Sequence, residues 1–255
     1  QGEHDRYALF YAELVERVAE LAAQWMAAGF CHAVLNTDNM SITGESFDYG
    51  PFAFLPAYDP SFTAAYFDYY GRYSYANQPG ICRWNLEMLQ APLSRVITPM
   101  DLERGIEKFG SVYDRAYRQQ MLNKLGFGEL TETIADELLA TTTLFLRESQ
   151  VSYHSFFAQL RQHFSPTWRD AVEQILPDVQ ILDDELNLIW QNWKTQYFNL
   201  LLCLPESEVE AIKPHLMMKN PLTVPVRPEI EAVWQKITEQ DDWTDFYMLL
   251  ERIRA

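Results

Sequence analysis

The chain has 255 residues, 48 % hydrophobic and 22 % charged, with a formal net charge of −16 and a pI near 4.6. That length supports a sizeable core and the composition is that of an ordered globular protein. Acidity on this scale repels phosphate backbones and excludes nucleic acid as an expected partner. No apolar run approaches the roughly 20 residues of a membrane span, so no membrane partner is expected either.

The three scattered cysteines, Cys31, Cys82 and Cys203, match no zinc or CxxC spacing. They read as small buried hydrophobes of a reducing, cytoplasmic compartment.

In chain order, Leu14, Val18, Leu21 and Trp25 recur at helical spacing and Gly29 follows as a stop, which predicts a long helix from about Asp5 to Ala28. Residues 31–40 lack periodicity. Ser41-Ile42-Thr43 and Ser46-Phe47 flank Gly44-Glu45 and predict a small hairpin. Residues 51–80 are punctuated by Pro51, Pro56, Pro60 and Pro79 and are rich in Tyr and Phe. A loop of that length is expected to be functional rather than structureless. Helices follow. Thr98-Pro99 is a cap and first turn, with Asp101 and Glu103 behind it, for a helix running to Leu125 and ended by Gly126. Further helices are expected over Thr131–Arg147, Ser152–His163, Pro166–Ile175, Asp183–Leu202 and Pro228–Ala255. With no internal repeat and no linker, one mainly α domain with a single small β element is the simplest reading.

The chemistry concentrates in His32-Ala33-Val34-Leu35-Asn36-Thr37-Asp38-Asn39 and, nine positions after Asn39, Asp48-Tyr49-Gly50. Mg²⁺ takes hard oxygen ligands, usually one or two from the protein plus substrate phosphates. Protein kinases supply them as the Asn that closes the catalytic loop and the Asp of Asp-Phe-Gly. His32 and Asn39 are spaced as in that loop, and the predicted hairpin delivers Asp48 beside Asn39. Asn39 and Asp48 are therefore the candidate metal ligands. The position of the kinase catalytic Asp is Val34, which cannot accept a proton, and the nearest carboxylate is Asp38.

This combination resembles the selenoprotein O family of pseudokinase-fold enzymes. The likeness is carried by His32 to Met40 and by Asp48-Tyr49-Gly50-Pro51-Phe52. It continues through Ala57-Tyr58-Asp59-Pro60, Gly71-Arg72-Tyr73-Ser74, Asn77-Gln78-Pro79 and Trp84-Asn85-Leu86, with weaker echoes at Lys124-Leu125-Gly126 and Asn220-Pro221. The resemblance implies a protein-kinase-like C-terminal lobe. Residues 31–52 would form the catalytic loop and metal-binding hairpin, 53–80 an activation-segment-like loop, and 81–255 a helical remainder. It implies transfer of AMP from ATP to Ser, Thr or Tyr hydroxyls of protein substrates, with Mg²⁺ or Mn²⁺. Asp38 would be the proton acceptor, Asn39 and Asp48 the metal ligands, and Asp48 would also lie close to the nucleotide. Ala33 stands where the family has Gly. The family grips the ATP phosphates with a glycine-containing loop, a lysine and arginines of an N-terminal lobe, which is not expected in this chain.

Other readings remain beside this one. The segment is also compatible with a non-catalytic helical scaffold or regulatory lobe, and with ordinary kinase activity, which Val34 disfavours. Asn36 and Asp38 are common turn formers. His32 is expected to structure the loop rather than react. The aromatic run Tyr66 to Tyr75 is expected to pack, its acidic surroundings arguing against base stacking. His4, His154, His163 and His215 lack partners at ligand spacing, and Asp183-Asp184-Glu185 reads as a helix start.

Overall fold

The computed structural model describes residues 3–254, with the side chains of residues 3–5 outside the description; the His4 side chain and Ala255 therefore lie beyond it. The described residues are mainly helical, with one two-stranded sheet. They divide into two compact units, one of residues 1–53 and 59–120 and one of 54–58 and 121–255.

The first unit is built on α1 (Glu3–Ala28), α2 (Gln78–Leu93) and most of α3 (Pro99–Leu125). The periodic face of α1 is buried as Tyr11, Leu14, Val15, Val18, Ala22 and Trp25, against Cys82 and Leu86 of α2 and Leu102, Ile106 and Phe109 of α3. Burial of such side chains is worth about 1.5–3 kcal/mol each and holds the helices together. At Gly105 of α3 a Cβ would stand 2.7 Å from the Tyr11 ring, so only glycine permits that approach. Gly29 and Gly126 end α1 and α3, as their sequence positions predict. Thr98 accepts from the Asp101 N–H at 3.2 Å, the expected cap of α3.

The β element differs from expectation. Strands β1 (Phe30–Cys31) and β2 (Ala53–Phe54) form the sheet. The predicted hairpin over 41–47 is instead a tight turn. It is held by the Ser41 N–H donating to the Glu45 carbonyl at 2.8 Å and by a single antiparallel bridge between Met40 and Ser46.

The second unit carries α4 (Glu132–Ser149), α5 (Tyr153–His163), α6 (Asp184–Cys203), α7 (Glu206–Lys219), α8 (Arg227–Gln240) and α9 (Thr244–Arg254). Its core is aromatic. Trp190 and Trp193 stack at 5.0 Å, and Phe145, Phe156 and Tyr197 close around them. Two of these rings have their polar ends paired, Trp193 donating to Thr142 at 2.9 Å and Tyr197 to the Leu125 carbonyl at 2.8 Å, while the buried Trp190 N–H has no partner among the described residues. Asp183 caps α6 by accepting from the Leu186 N–H, as the acidic run predicts.

Four expectations are corrected here. Pro166–Ile175 is two short 3₁₀ turns, not a helix. The helix expected over 228–255 is broken at Asp241, which adopts a left-handed conformation (φ 52°) and separates α8 from α9. Helix α7, with Pro214 inside it, has no counterpart in the sequence reading. Cys203 is exposed, although Cys31 and Cys82 are buried as expected. No described helix is long and apolar enough to cross a membrane.

Lys124 and His154 lie buried in the second unit. The Lys124 ammonium sits 4.3 Å over the Phe157 ring, and burial pushes its pKa down to about 8. Burial, and then the Lys124 charge, push His154 down to about 3. The native state therefore releases the lysine proton well before the unfolded chain does. Stability from this group rises with pH between about 8 and 10.5 and is absent below. Urea unfolding is expected to show a gain of order 1–2 kcal/mol between pH 8 and pH 9.5, and Lys124→Met is expected to abolish that gain. For His154 the unfolded chain binds the proton first as pH falls below about 6.5, so acidification destabilises the fold progressively toward pH 3, by at most about 1.4 kcal/mol per pH unit.

Candidate functional site

The segment from His32 to Asn39 runs through the first unit with no ladder partner beyond the two residues of β1. Buried backbone polar groups must still be paired. Side chains from elsewhere do this. Gln78, fully buried at the start of α2, accepts the His32 N–H at 2.8 Å and donates to the Phe30 carbonyl at 2.9 Å. Asn85, one face further along α2, donates to the Leu35 carbonyl at 3.0 Å. The Tyr73 hydroxyl donates to the Asn36 side-chain oxygen. These residues belong to the motifs Asn77-Gln78-Pro79, Gly71-Arg72-Tyr73-Ser74 and Trp84-Asn85-Leu86, and sequence reasoning assigned them no role.

His32 has the structural task expected of it. It is fully buried, and its Nε2 lies 3.1 Å from the Phe47 carbonyl and 2.6 Å from the Ser46 hydroxyl. A carbonyl can only accept, so Nε2 carries the proton, and Nδ1 accepts from the Val34 N–H at 3.4 Å. Burial lowers the pKa of His32, which favours this neutral ring. The imidazole thus fastens the loop to the turn that carries Asp48.

Asn39 ends a 3₁₀ turn over Thr37–Asn39 and is buried. Its amide nitrogen donates to the Val34 carbonyl at 2.8 Å and to Asp48 Oδ2 at 3.3 Å. With both amide hydrogens so committed, Oδ1 is the remaining oxygen with lone pairs for a cation. Asp48 is exposed and holds a left-handed backbone (φ 61°), which Asp tolerates better than most residues. Asp38 is exposed one residue before Asn39. The structure therefore brings Asn39 and Asp48 into contact, with Asp38 exposed in the same turn as Asn39. Ala33, where the resemblance expects Gly, is also left-handed (φ 73°) and fully buried beside Cys31 and Ala53, so a larger side chain there meets both strain and crowding.

Among the described residues no three His, Cys, Asp or Glu side chains converge as a metal cage. The donor set of Asn39 and Asp48 nonetheless suits Mg²⁺ or Mn²⁺, which accept two protein oxygens and complete their shell with water and phosphate. A cleft of about 340 Å³ opens beside the loop between Thr37, Met40, Leu14, Val18, Asn85 and Leu89. No cation lines it, so it does not suit a polyphosphate.

Gln78→Leu leaves two buried backbone groups unpaired. It is expected to lower stability by about 2–4 kcal/mol in urea unfolding.

Comparison with known proteins follows the same residues. Residues 1–254 match the family model described as protein adenylyltransferase SelO. The chain is 54 % identical to the protein nucleotidyltransferase YdiU of Trichormus variabilis over 99 % of its length and 52 % of that protein. It is 52 % identical to the YdiU of Synechococcus elongatus, again over 99 % of this chain and 52 % of the relative. Identity to the YdiU of Cronobacter sakazakii is 34 % over 99 % of this chain and 50 % of the relative. The chain spans about half the length of these curated relatives, and it belongs to the SelO protein adenylyltransferase family.

Proposed function

We propose that this chain is the part of a protein adenylyltransferase that carries the base and the metal ligands, in the manner of a kinase C-terminal lobe. Residues 31–52 serve as catalytic loop and metal-binding turn, 53–80 as an activation-segment-like loop and 81–255 as the helical remainder. The observation that supports the reading best is the Asn39–Asp48 pair, 3.3 Å apart, with Asp38 exposed beside it.

In the reaction, the substrate hydroxyl attacks the α-phosphorus of ATP. A new oxygen–phosphorus bond forms as the bond to pyrophosphate breaks. Asp38 takes the hydroxyl proton, the role that Val34 cannot fill. Asn39 Oδ1 and Asp48 are the groups to hold Mg²⁺ or Mn²⁺, which supplies positive charge against the phosphates and the developing negative charge. From Asn36 to Gly71 there are five carboxylates and no Lys, Arg or His. ATP binding therefore needs the metal, together with cationic groups from outside this stretch, which we assign to an N-terminal lobe within the half of the relatives that this chain does not span. The partners are ATP and proteins presenting Ser, Thr or Tyr hydroxyls.

In a chain extended to the full length of its relatives and incubated with ATP and Mn²⁺, intact-mass spectrometry is expected to show AMP-sized gains on acceptor protein. Asp48→Ala is expected to abolish metal-dependent nucleotide binding, and undiminished binding would overturn the metal assignment. Asp38→Ala is expected to slow transfer by 10²-fold or more, while ATP affinity changes much less. Phosphate-sized gains instead would point to an ordinary kinase, and no gain with no metal-dependent nucleotide binding to a scaffold.

A further inference from the structure

The aromatic run after Ala65 does not pack as the sequence predicts. Tyr73 and Tyr75 are buried, but Tyr66, Tyr69 and Tyr70 are 86 %, 85 % and 99 % exposed, with Phe67 at 45 %. The fold makes little use of these four rings.

They are nevertheless held in place. Both oxygens of Asp68, at the centre of the run, are committed. Oδ1 accepts the Arg72 N–H at 2.8 Å, and Oδ2 accepts the Tyr73 N–H at 2.8 Å and the Thr63 hydroxyl at 3.3 Å. The Asp68 N–H donates to the Ala65 carbonyl and the Gly71 N–H to the Asp68 carbonyl, so two successive turns carry the rings. Ala64 and Ala65 anchor one end in the core and Tyr73 the other. The Tyr73 hydroxyl bonds Asn36, two residues before Asp38. The rings thus stand on a braced segment tied to the catalytic loop, and a ligand would not have to order it.

The sequence leading to them is acidic, although Arg17 reaches into it, its guanidinium donating to the Thr43 carbonyl at 3.3 Å. Asp38, Glu45, Asp48, Asp59 and Asp68 occupy the sequence from Asn36 to Gly71 without a cation. The first cation after them, Arg72, shows what ring faces in this neighbourhood accept: its guanidinium lies 5.0 Å over the Trp84 ring and 5.6 Å over Tyr73. Exposed tyrosine faces among carboxylates attract ammonium and guanidinium groups. They repel acidic segments, and a second copy of a chain with net charge −16 is a poor match.

We propose that Tyr66, Phe67, Tyr69 and Tyr70 form a docking platform for a Lys- or Arg-rich segment of the protein that receives AMP. This rests on the adenylyltransferase reading, and binding and transfer separate the two. The probes are two fluorescent peptides with the same Ser- and Tyr-containing centre, one flanked by lysines and the other by glutamates. By anisotropy without ATP, this chain is expected to bind the lysine peptide about tenfold or more tightly, with the preference weakened by salt. Combined Tyr66→Ala, Tyr69→Ala and Tyr70→Ala is expected to weaken that binding about tenfold, and the same three changed to Phe, which keeps the ring faces, by about twofold at most. These rings are exposed, so circular dichroism should show both variants folded. In the full-length protein the Ala variant should raise KM for the lysine peptide to a similar extent.

Equal affinity for the two peptides, or an unaffected Ala variant, overturns the proposal. So does a Phe variant as damaged as the Ala one, which would make the hydroxyls the relevant groups. Dimerisation of this chain lost in the Ala variant would reassign the surface to a second copy, and failure of the full-length protein to bind the lysine peptide would reassign it to the remainder of the polypeptide. Lysine-peptide binding with no AMP transfer to any acceptor would remove the adenylyltransferase reading and leave the cation-binding surface standing.

Discussion

An irregular backbone buried inside a protein must find hydrogen-bond partners without the help of a ladder, and the structure around His32 to Asn39 is organised by that constraint. The partners are amide side chains. Gln78 serves two backbone groups, Asn85 serves one, and Asn39 turns back on the loop itself. An amide suits this work because it donates and accepts while remaining uncharged. Helix α2 can place Gln78 and Asn85 on one side because they stand seven residues, about two helical turns, apart. The hydrophobic contacts of α1 and α3 hold α2, α2 holds the loop, and the loop presents Asp38 and Asn39.

The same economy governs charge. The site segment carries no cation of its own from Asn36 to Gly71; Arg17 reaches its Thr43 carbonyl, and Arg72, which follows it, is turned onto aromatic rings. Such a surface holds a polyphosphate only with metal and with cations brought from elsewhere. It is well suited to attract a cationic protein. On the proposed function, repulsion of ATP and attraction of a cationic acceptor would be two effects of one charge distribution.

Much of this was legible in the sequence where a local signal carried it. Helix ends at Gly29, Thr98, Gly126 and Asp183 follow from caps and left-handed stops, which act over a few residues. The contact between Asn39 and Asp48 was legible because the spacing of the motifs restricts how the chain can return. What was not legible depends on distant partners. Strands of two residues carry no periodicity, so β1 and β2 were missed and the turn between Met40 and Ser46 was overread as a hairpin. Helix α7 forms around an interior proline, Pro214, with Val209, Ile212 and Leu216 buried along it, and its burial is a tertiary matter. The bracing roles of Gln78, Asn85 and Tyr73 could be seen only once the loop they serve was in place. Tyr66, Tyr69 and Tyr70 are exposed although the run is expected to pack, because ring content and neighbouring charge do not say which way a ring faces.

The clamp at Gln78 also bears on how the site comes into being. His32 and the side chain that secures it are 46 residues apart in the chain, and the Leu35 carbonyl waits on a residue 50 positions downstream. Contacts of such separation form late, after the intervening loop has been closed against its entropy. During synthesis, then, the ribosome releases every residue of the candidate site well before the helix that gives them their geometry. A nascent chain ending short of α2 would carry the full motif and none of its arrangement.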